Sequence, residues 1–271
     1  YGKVPPINMP MGSYRAERIN ALLAEKDVFA VEDIFAMHAD LYSLQAEHFM
    51  AVLRPLLPNT LQGDILRAWD LCYDADSQGA YLFEVFYKEL YREVFGKNGF
   101  GEAALDFLYD ESGTFIDFYQ NFDRVLLSEN SRWFGDMSRE ELYAKVVEKT
   151  LTTKEHEGKT WGSRQQYTMS HMLFGGTLPA FLGFDRGPIT GVGGRATIHQ
   201  GQIYQSAGRT TTFFPSLRVV TEIGKDELYS NLAGGPSDNR FSKWYISDLE
   251  NWLNYRYKVT KPNSTNADEE F

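Results

Sequence analysis

The sequence predicts an α+β fold with a mainly helical first half and a β-rich second half. Through residues 1–159, apolar side chains recur at the three- and four-residue spacing of amphipathic helices. From residue 160 onward the chain is rich in Gly, Thr and aromatic residues, and short alternating stretches indicate strands separated by turns. We therefore expect a helical region at 1–159, a β-rich region with a closing helix at 160–262 in the same domain, and a flexible polar tail at 263–271.

The first predicted helix covers YRAERINALL, with Ser13 placed as its N-cap. Ile19, Leu22 and Leu23 mark its apolar face. Arg15 precedes the first two by four and seven residues and should point toward the buried side, and Arg18 faces nearly the same way. Two explanations stay open for Arg15. Either it packs its methylenes while its head pairs with a carboxylate, or it has a role in an active site.

The other predicted elements follow in chain order and are marked by their end signals. Pro55 and Pro58 close the second helical pattern, and Gly96 and Gly99 close the pattern that begins after DADSQG. Helical patterns after the first lie at 27–53, 61–71, 80–95, 102–127 and 138–150, of which the last two supply two or three helices. Strand patterns lie at 195–206 and 216–223, and the closing helix is expected at 242–257.

The composition excludes several functional classes. The chain of 271 residues is 43% hydrophobic and 15% aromatic, which suits a folded core and argues against disorder. Its formal charge of -10 disfavours nucleic acid and anionic membranes as partners, since phosphate binding needs a basic surface. Cys72 is the single cysteine, which excludes an internal disulfide and a cysteine-based zinc site. No apolar run approaches the roughly 20 residues of a membrane span.

Tests for familiar catalytic and metal-binding motifs fail. GPSDN at 235–239 lacks the last Gly of a nucleophile elbow, and GPITGVGGRAT at 187–197 lacks the Lys of a phosphate-binding loop. The five histidines show no metal-ligand spacing. Asp70, Asp74 and Asp76 lack the Gly and the distal Glu of a calcium loop, so helix capping is the preferred interpretation. The residues alone indicate an acidic α+β protein without a complete active site.

Short motifs occur in a fixed order along nearly the whole chain. They are YRAERINALL, LYSLQAE, WDLCYDADSQG, TWGSRQQYTMSH, GPITGVGGRATIHQG, FFPSLRVVTEI and LAGGPSDNRFSKWY. This order resembles the C-terminal part of the large subunit of the penicillin amidase family. Three positions depart from the family pattern: Leu71 replaces a Gly, while Met172 and Arg240 each replace a Pro. The departures affect turns more than chemistry and leave the choice of substrate open.

The resemblance implies an N-terminal-nucleophile amidohydrolase with a four-layer αββα sandwich fold. In this family a precursor cuts itself, and the freed first residue of the large subunit attacks an amide carbonyl with its own α-amine as base. An acyl-enzyme forms, and backbone N–H groups and an Asn side chain hold the oxyanion. The chain starts with Tyr1, so we expect the nucleophile and this Asn to lie outside it and the chain alone to be inactive.

The family match also offers an explanation for Arg15, the one catalytic residue that we predict in this chain. As the first Arg of Y-R-x-x-R-I, Arg15 is implied to point into the active site, near the oxyanion Asn and the amine of the nucleophile. There it would orient the Asn and stabilise negative charge on the carbonyl oxygen. We interpret Arg18 as structural and ion-paired, and His171 as a hydrogen-bonded structural residue.

The predicted function is therefore that of the C-terminal segment of an enzyme that cleaves N-acyl amides, such as acylated β-lactam nuclei or acyl-homoserine lactones. Its partners are the rest of the same enzyme, namely the small subunit and the N-terminal part of the large subunit, and a small-molecule amide substrate. No cofactor is required. Some relatives hold a structural calcium, but no ligand for it can be assigned here. The family implies a periplasmic or secreted enzyme, and a cytoplasmic location stays open.

Two alternative functions stay open at this point. The first is a non-catalytic structural or binding descendant of the same fold. The second is an unrelated acidic helical interaction module, which predicts that residues 160–222 form no strands.

Overall fold

The computed structural model describes residues 12–262. Tyr1 and the polar tail predicted at 263–271 lie outside the described residues. In the described chain, helices come first and strands follow from Gln166 onward. The strands lie partly within 160–222, so the alternative of a purely helical interaction module is wrong.

The helices vary from a single turn to fourteen residues, and none of those within 12–262 is long and apolar enough to cross a bilayer. In chain order they are α1 (Tyr14–Leu23), α2 (Val31–His38), α3 (Leu44–Leu53), α4 (Leu61–Ala68), α5 (Gln78–Tyr91), α6 (Glu102–Asp110), α7 (Thr114–Asp117), α8 (Tyr119–Leu127), α9 (Arg139–Leu151), α10 (Trp161–Arg164) and α11 (Leu249–Leu253). Shorter 3-10 turns lie at Arg54–Leu56, Arg132–Phe134, Lys154–His156 and Ala180–Leu182.

The strands form three small antiparallel sheets. In chain order they are β1 (Gln166–Met169), β2 (Arg186–Thr190), β3 (Gln202–Ser206), β4 (Arg209–Phe213), β5 (Leu217–Thr221), β6 (Leu228–Leu232) and β7 (Lys258–Thr260). Within the described residues, β1 pairs with β2, β3 pairs with β4, and β6 lies between β5 and β7. In the third sheet Arg218 stands opposite Asn231, a register that places both side chains on the buried face.

The main hydrophobic core lies among the helices and is centred on α5. Phe83 and Phe86 of α5 are fully buried, and they contact Phe49 of α3 and Tyr143 of α9. Phe83 and Phe86 lie three residues apart, which is helical spacing, so they belong to one apolar face of α5. Ser77 caps the start of α5 by accepting the Ala80 N–H at 3.1 Å.

A smaller core lies in the β-rich half. Tyr167 of β1 stacks on Phe214 with ring centroids 4.6 Å apart, and it clusters with Leu249 and Trp252 around α11. The Trp252 indole N–H donates to the Pro215 carbonyl at 2.8 Å, which attaches α11 to the chain just before β5. This core holds the short closing helix in place without joining the three sheets into one.

The helix predicted at 27–53 is in fact two helices, α2 and α3. Between them, Asp40 accepts the Tyr42 N–H at 3.3 Å, and Ser43 accepts the Ala46 N–H at 3.1 Å and thereby caps α3. Short polar side chains that bond the nearby backbone compete with continuation of a helix. The prediction of one long helix was wrong for this reason.

Two helix ends also differ from prediction. Gly96 does not end the helical run, because the chain continues past α5 as a π-helical segment, Arg92–Phe100. Gly99, the other predicted stop, does break the helix, since its backbone is non-helical with φ -119° and ψ -105°, and Gly101 then turns the chain with φ 91°. The closing helix predicted at 242–257 shrinks to α11. Asp248, just before α11, uses its carboxylate to accept the Leu232 N–H of β6 at 2.7 Å, so this residue serves the sheet rather than a longer helix.

The strand predicted at 195–206 begins only at Gln202, because residues 194–201 form a compact turn. Thr197 holds this turn: its hydroxyl accepts the Gly194 N–H at 2.9 Å and donates to the His199 carbonyl at 2.6 Å. Gly193 has φ +79°, and an added Cβ would lie 2.0 Å from the His199 carbonyl oxygen. The turn therefore needs glycine at this position.

Candidate functional site

Arg15 lies on α1, and the structure places its guanidinium against the turn at 194–201. Nη1 donates to the Gln200 side-chain oxygen at 2.8 Å, and Nη2 donates to the Ile198 carbonyl at 3.3 Å. Nε is buried and has no hydrogen-bond partner among the described residues. The contacts span more than 180 residues of sequence, so they depend entirely on the tertiary fold.

Among residues 12–262, no carboxylate forms an ion pair with Arg15. Its neighbour Arg18 behaves differently, since its Nη2 lies 2.7 Å from the Asp40 carboxylate. The interpretation of Arg18 as ion-paired is therefore confirmed. Burial lowers the pKa of Arg15, although a guanidinium stays charged at any physiological pH. Arg15 thus carries a partly desolvated positive charge whose hydrogen-bond acceptors among the described residues are neutral oxygens.

Tyr14 anchors α1 next to Arg15. Its ring is 4% exposed and stacks on Tyr119 with centroids 6.1 Å apart, and its hydroxyl is hydrogen-bonded to Asp123. Asp123 is fully buried and also accepts from the Tyr87 hydroxyl at 2.6 Å and from the Gln45 amide at 2.8 Å. These bonds fix the first turn of α1, and with it the start of the Arg15 side chain.

The Asp123 carboxyl is buried without a direct cationic partner among the described residues. Burial is the largest influence on this group and raises the pKa of Asp123 to about 7, against the hydrogen bonds, which lower it. Arg195, whose positive charge also lowers the pKa of Asp123, is paired with Glu84 at 2.6 Å instead. Near neutral pH, Asp123 therefore exists in both protonation states.

Sequence reasoning found Arg15 but missed the residues that surround it. Ile198 and Gln200 lie in a stretch whose alternation predicted a strand, and the structure makes it a turn. His199, between them, is 3% exposed, and the absence of metal-ligand spacing gave no reason to single it out. A Gly-rich run before RATIH was the one available signal that the chain turns there.

Four surface cavities lie among the described residues 12–262, and Arg15 lines none of these four. The cavity of about 300 Å³ beside His171 has apolar walls that include Met172 and Phe184. His171 Nδ1 accepts the N–H groups of Leu173 and Phe174 at 3.1 and 3.2 Å. This bonding agrees with the structural role expected for His171.

One group of potential metal ligands occurs in the described chain. Ligand atoms of Asp70, Cys72 and Asp74 lie within 4.8 Å of one another. Calcium takes six to eight oxygen ligands, and a cluster of two carboxylates and a thiol does not match that preference. The Asp70 carboxylate also accepts the Cys72 N–H at 3.0 Å, which is a local turn contact. We therefore assign no calcium ligands here.

Leu71 adopts an unusual backbone conformation within this same loop. Its φ of +68° lies in the region that favours glycine, while its side chain is only 5% exposed. The replacement of Gly by Leu noted in the sequence therefore keeps the glycine-like turn and adds a buried side chain.

The chain is similar in sequence to a known protein family and to a curated relative. A family model described as penicillin amidase matches residues 3–268. The penicillin acylase 2 proenzyme of Pseudomonas sp. (strain SE83) is 27% identical over 220 residues, which cover 78% of this chain and 28% of that protein. The chain thus spans less than a third of this curated relative.

A solved structure shows the same fold. The thermostable penicillin G acylase from Alcaligenes faecalis, in its orthorhombic form, matches 99% of this chain and 52% of that chain with a TM-score of 0.62. Sequence identity is 14%, so the likeness is one of fold. It confirms the predicted α+β class, with a helical first half and a β-rich second half.

Proposed function

Because the chain belongs to the penicillin amidase family and has the fold of an N-terminal-nucleophile hydrolase, we propose that it is the C-terminal segment of an amidohydrolase that cleaves N-acyl amides. The nucleophile and its α-amine are supplied by polypeptide outside these residues. Attack on the amide carbonyl gives an acyl-enzyme, and water then releases the carboxylic acid. Acylated β-lactam nuclei and acyl-homoserine lactones are the candidate substrate classes.

The observation that carries this proposal is that the positive charge of Arg15 has no carboxylate partner among the described residues. A partly desolvated guanidinium normally has a carboxylate partner, because an unpaired buried charge costs several kcal/mol. Arg15 instead bonds two neutral oxygens, from Gln200 and Ile198, and keeps other N–H groups available. A positive charge without a permanent counter-ion can stabilise a negative charge that forms only during the reaction, namely the oxyanion.

In this role, Arg15 orients the oxyanion-binding Asn and stabilises the negative charge that develops on the carbonyl oxygen. An interaction of this kind in a water-poor site is worth roughly 2 to 4 kcal/mol of activation free energy. The positive charge also helps to keep the neighbouring α-amine unprotonated, because like charges lower the pKa of an amine. Arg15 therefore supports both the base and the oxyanion.

The remaining expectations belong to the same proposal. The partners of the chain are the small subunit and the N-terminal part of the large subunit, which bring the nucleophile and most of the acyl-binding pocket. A precursor that processes itself produces the two subunits. The enzyme is exported to the periplasm or secreted, and it needs no cofactor for the hydrolytic step.

The test uses the full-length enzyme that contains these residues. Arg15→Gln should lower kcat/KM on chromogenic N-acyl anilides by about 100- to 1,000-fold, because one charged oxyanion contact is lost. Arg18→Lys is the matched control, since Arg18 lies on the same helix but pairs with Asp40. It should stay within about threefold of the parent enzyme. Gel electrophoresis shows whether each variant precursor is cleaved into its subunits, and this distinguishes failed maturation from failed catalysis.

A second outcome would favour the non-catalytic alternative. If the matured full-length protein carries a Ser, Thr or Cys at the start of the large subunit and still hydrolyses no member of a panel of N-acyl amides, the proposal fails. Equal activity of the Arg15→Gln and Arg18→Lys enzymes would reject the role of Arg15 alone.

A further inference from the structure

A second arginine without a carboxylate partner contacts the same segment as Arg15. Arg218 of β5 is 4% exposed, and no Asp or Glu among the described residues forms an ion pair with it. The segment Ile198–Gln200 is thus contacted by two guanidinium groups. Burying an arginine without an acid is costly, whereas an apolar residue at this position of β5 would avoid that cost.

Neutral groups hold the Arg218 guanidinium in one orientation. Nη1 donates to the Trp252 carbonyl at 2.8 Å and to the Asn231 side-chain oxygen at 3.2 Å. The guanidinium also lies over the Tyr255 ring, 4.4 Å from its centroid. The remaining polar contact is to His199, whose Nδ1 lies 3.3 Å from Nη2.

These contacts determine the state of the His199 ring. Nδ1 also lies 3.0 Å from the Tyr255 hydroxyl. A guanidinium can only donate, so Nδ1 accepts from Arg218 and the ring proton resides on Nε2. Burial, with the charges of Arg218 and Arg15, lowers the pKa of His199 to about 3. The ring is therefore neutral and fixed in one tautomer.

The fixed ring is part of the segment that binds Arg15. The two oxygens that accept from Arg15 belong to Ile198 and Gln200, the residues on either side of His199. The main-chain N–H of His199 donates to the main-chain carbonyl of Asp40 at 3.0 Å, so the backbone of His199 is fixed as well as its ring. A change at the ring should therefore move both acceptors of the Arg15 guanidinium.

We infer that Arg218 and His199 are positioning residues, which hold Ile198–Gln200 and thereby set the orientation of Arg15 in the hydrolytic site. This inference rests on the proposed function of Arg15. It assigns Arg218 no contact with substrate. Arg218 acts on the reaction only through His199 and the two oxygens that flank it.

A double-mutant cycle in the full-length enzyme tests the inference. Arg218→Lys keeps the charge but loses the planar geometry, and it should lower kcat about tenfold with KM changed less than about twofold. In the Arg15→Lys background the same substitution should lower kcat by less than about twofold further, because there is no guanidinium left to orient. A merely structural role would give equal factors in both backgrounds and would overturn the inference.

The His199 ring provides a second, independent pair of variants if Arg218→Lys does not fold. His199→Asn keeps an acceptor near the position of Nδ1 and should retain kcat within about threefold, whereas His199→Leu should lower it by about tenfold or more. Arg139→Lys is the control, since Arg139 is largely buried on α9 and donates to the Leu127 carbonyl far from this segment. Equal losses in the Asn and Leu variants would overturn the inference.

The results also separate this inference from the proposed function. If Arg15→Lys leaves kcat unchanged, the role of Arg15 is wrong and the positioning role is wrong with it. If Arg15→Lys lowers kcat while Arg218→Lys acts equally in both backgrounds, only the positioning role is wrong.

Discussion

The helical half and the β-rich half of this chain are stabilised in different ways. In the helical half one continuous core encloses α5, and side chains such as Phe83 and Phe86 are fully buried. In the β-rich half the strands form separate small sheets, and large apolar residues remain outside, with Met172 95%, Phe181 83% and Phe241 82% exposed. Within the described residues, the helical half encloses most of its large apolar side chains, whereas the β-rich half leaves more of them exposed.

The buried arginines around the turn at 194–201 differ in their partners. Arg195, within the turn, reaches back to Glu84 on α5 and forms an ion pair at 2.6 Å. Around the turn itself, Arg15 and Arg218 have only neutral partners among the described residues. A carboxylate partner offsets part of the desolvation cost of a buried arginine, while an unpaired buried charge is typical of sites where the charge is used. The boundary between the halves is therefore where we place the function.

The largest effect should come from the helical core. Phe86→Ala should destabilise the chain by about 3 to 5 kcal/mol, because it opens a cavity among fully buried aromatic rings. Urea unfolding in dilute solution, followed by circular dichroism, measures this change. The control Phe181→Ala, in the β-rich half, should change the free energy of unfolding by less than about 0.5 kcal/mol. Similar losses in the two variants would remove the contrast between the halves.

The second effect is on the pH dependence of the free energy of unfolding. The buried Asp123 carboxyl should contribute roughly 4 kcal/mol at most to this free energy. Because its pKa is raised to about 7 in the folded chain, protonation stabilises the fold. This contribution is full below about pH 4, where the unfolded chain also binds the proton, and it is lost as the pH rises to 7. The parent chain should therefore lose stability relative to Asp123→Asn between pH 4 and 7.

Unfolding free energies of both proteins across this pH range provide the measurement. Asp136→Asn, at an exposed position, is the control and should give a profile parallel to that of the parent. A parallel profile for Asp123→Asn as well would mean that the buried carboxyl does not titrate in this range.

The third effect concerns the turn that binds Arg15. Gly193→Ala should cost about 3 kcal/mol, because it combines a positive φ with a Cβ placed 2.0 Å from the His199 carbonyl oxygen. Gly208→Ala has a similar φ of +70° but nothing within 4 Å of its Cβ, and it should cost about 1 kcal/mol. Thermal unfolding distinguishes the two. Equal costs would show that the turn yields without strain.

The smallest effect on stability, and the clearest on association, is expected at the exposed apolar surface of the β-rich half. Phe241→Lys should change the free energy of unfolding by less than about 0.5 kcal/mol but reduce self-association of the isolated chain, measured by sedimentation. Val28→Lys, at an 81% exposed position of the helical half, adds the same charge and should leave association unchanged. Equal reductions would mean that net charge, not the patch, controls association.

The sequence predicted those features that depend on local periodicity. The apolar stripe of α5 and the change in texture near residue 160 follow from spacing. On α1 the predicted apolar face is only partly buried, and Leu23 is 44% exposed. The pairing of Arg18 also followed, because a charge directed at a core needs an acid. The same reasoning could not name Gln200 or Arg218, because their contacts with the Arg15 region come from far along the chain.

The failures share a physical cause, which is side-chain bonding to the backbone. Ser43 starts a new helix where periodicity predicted continuation, and Thr197 folds a turn where alternation predicted a strand. Asp248 shortens the closing helix by bonding a strand instead. Each of these residues has a short polar side chain, so the error lies in reading hydrophobic pattern without the competing hydrogen bonds.

Asp40 joins the two halves through chemically different atoms. Its carboxylate holds Arg18, and hence the helix of Arg15, while its main-chain carbonyl accepts the N–H of His199. A substitution at this position removes only the carboxylate contact, because every residue type retains the carbonyl. A single replacement at Asp40 therefore weakens the attachment of α1 but keeps the main-chain hydrogen bond to the turn at 194–201.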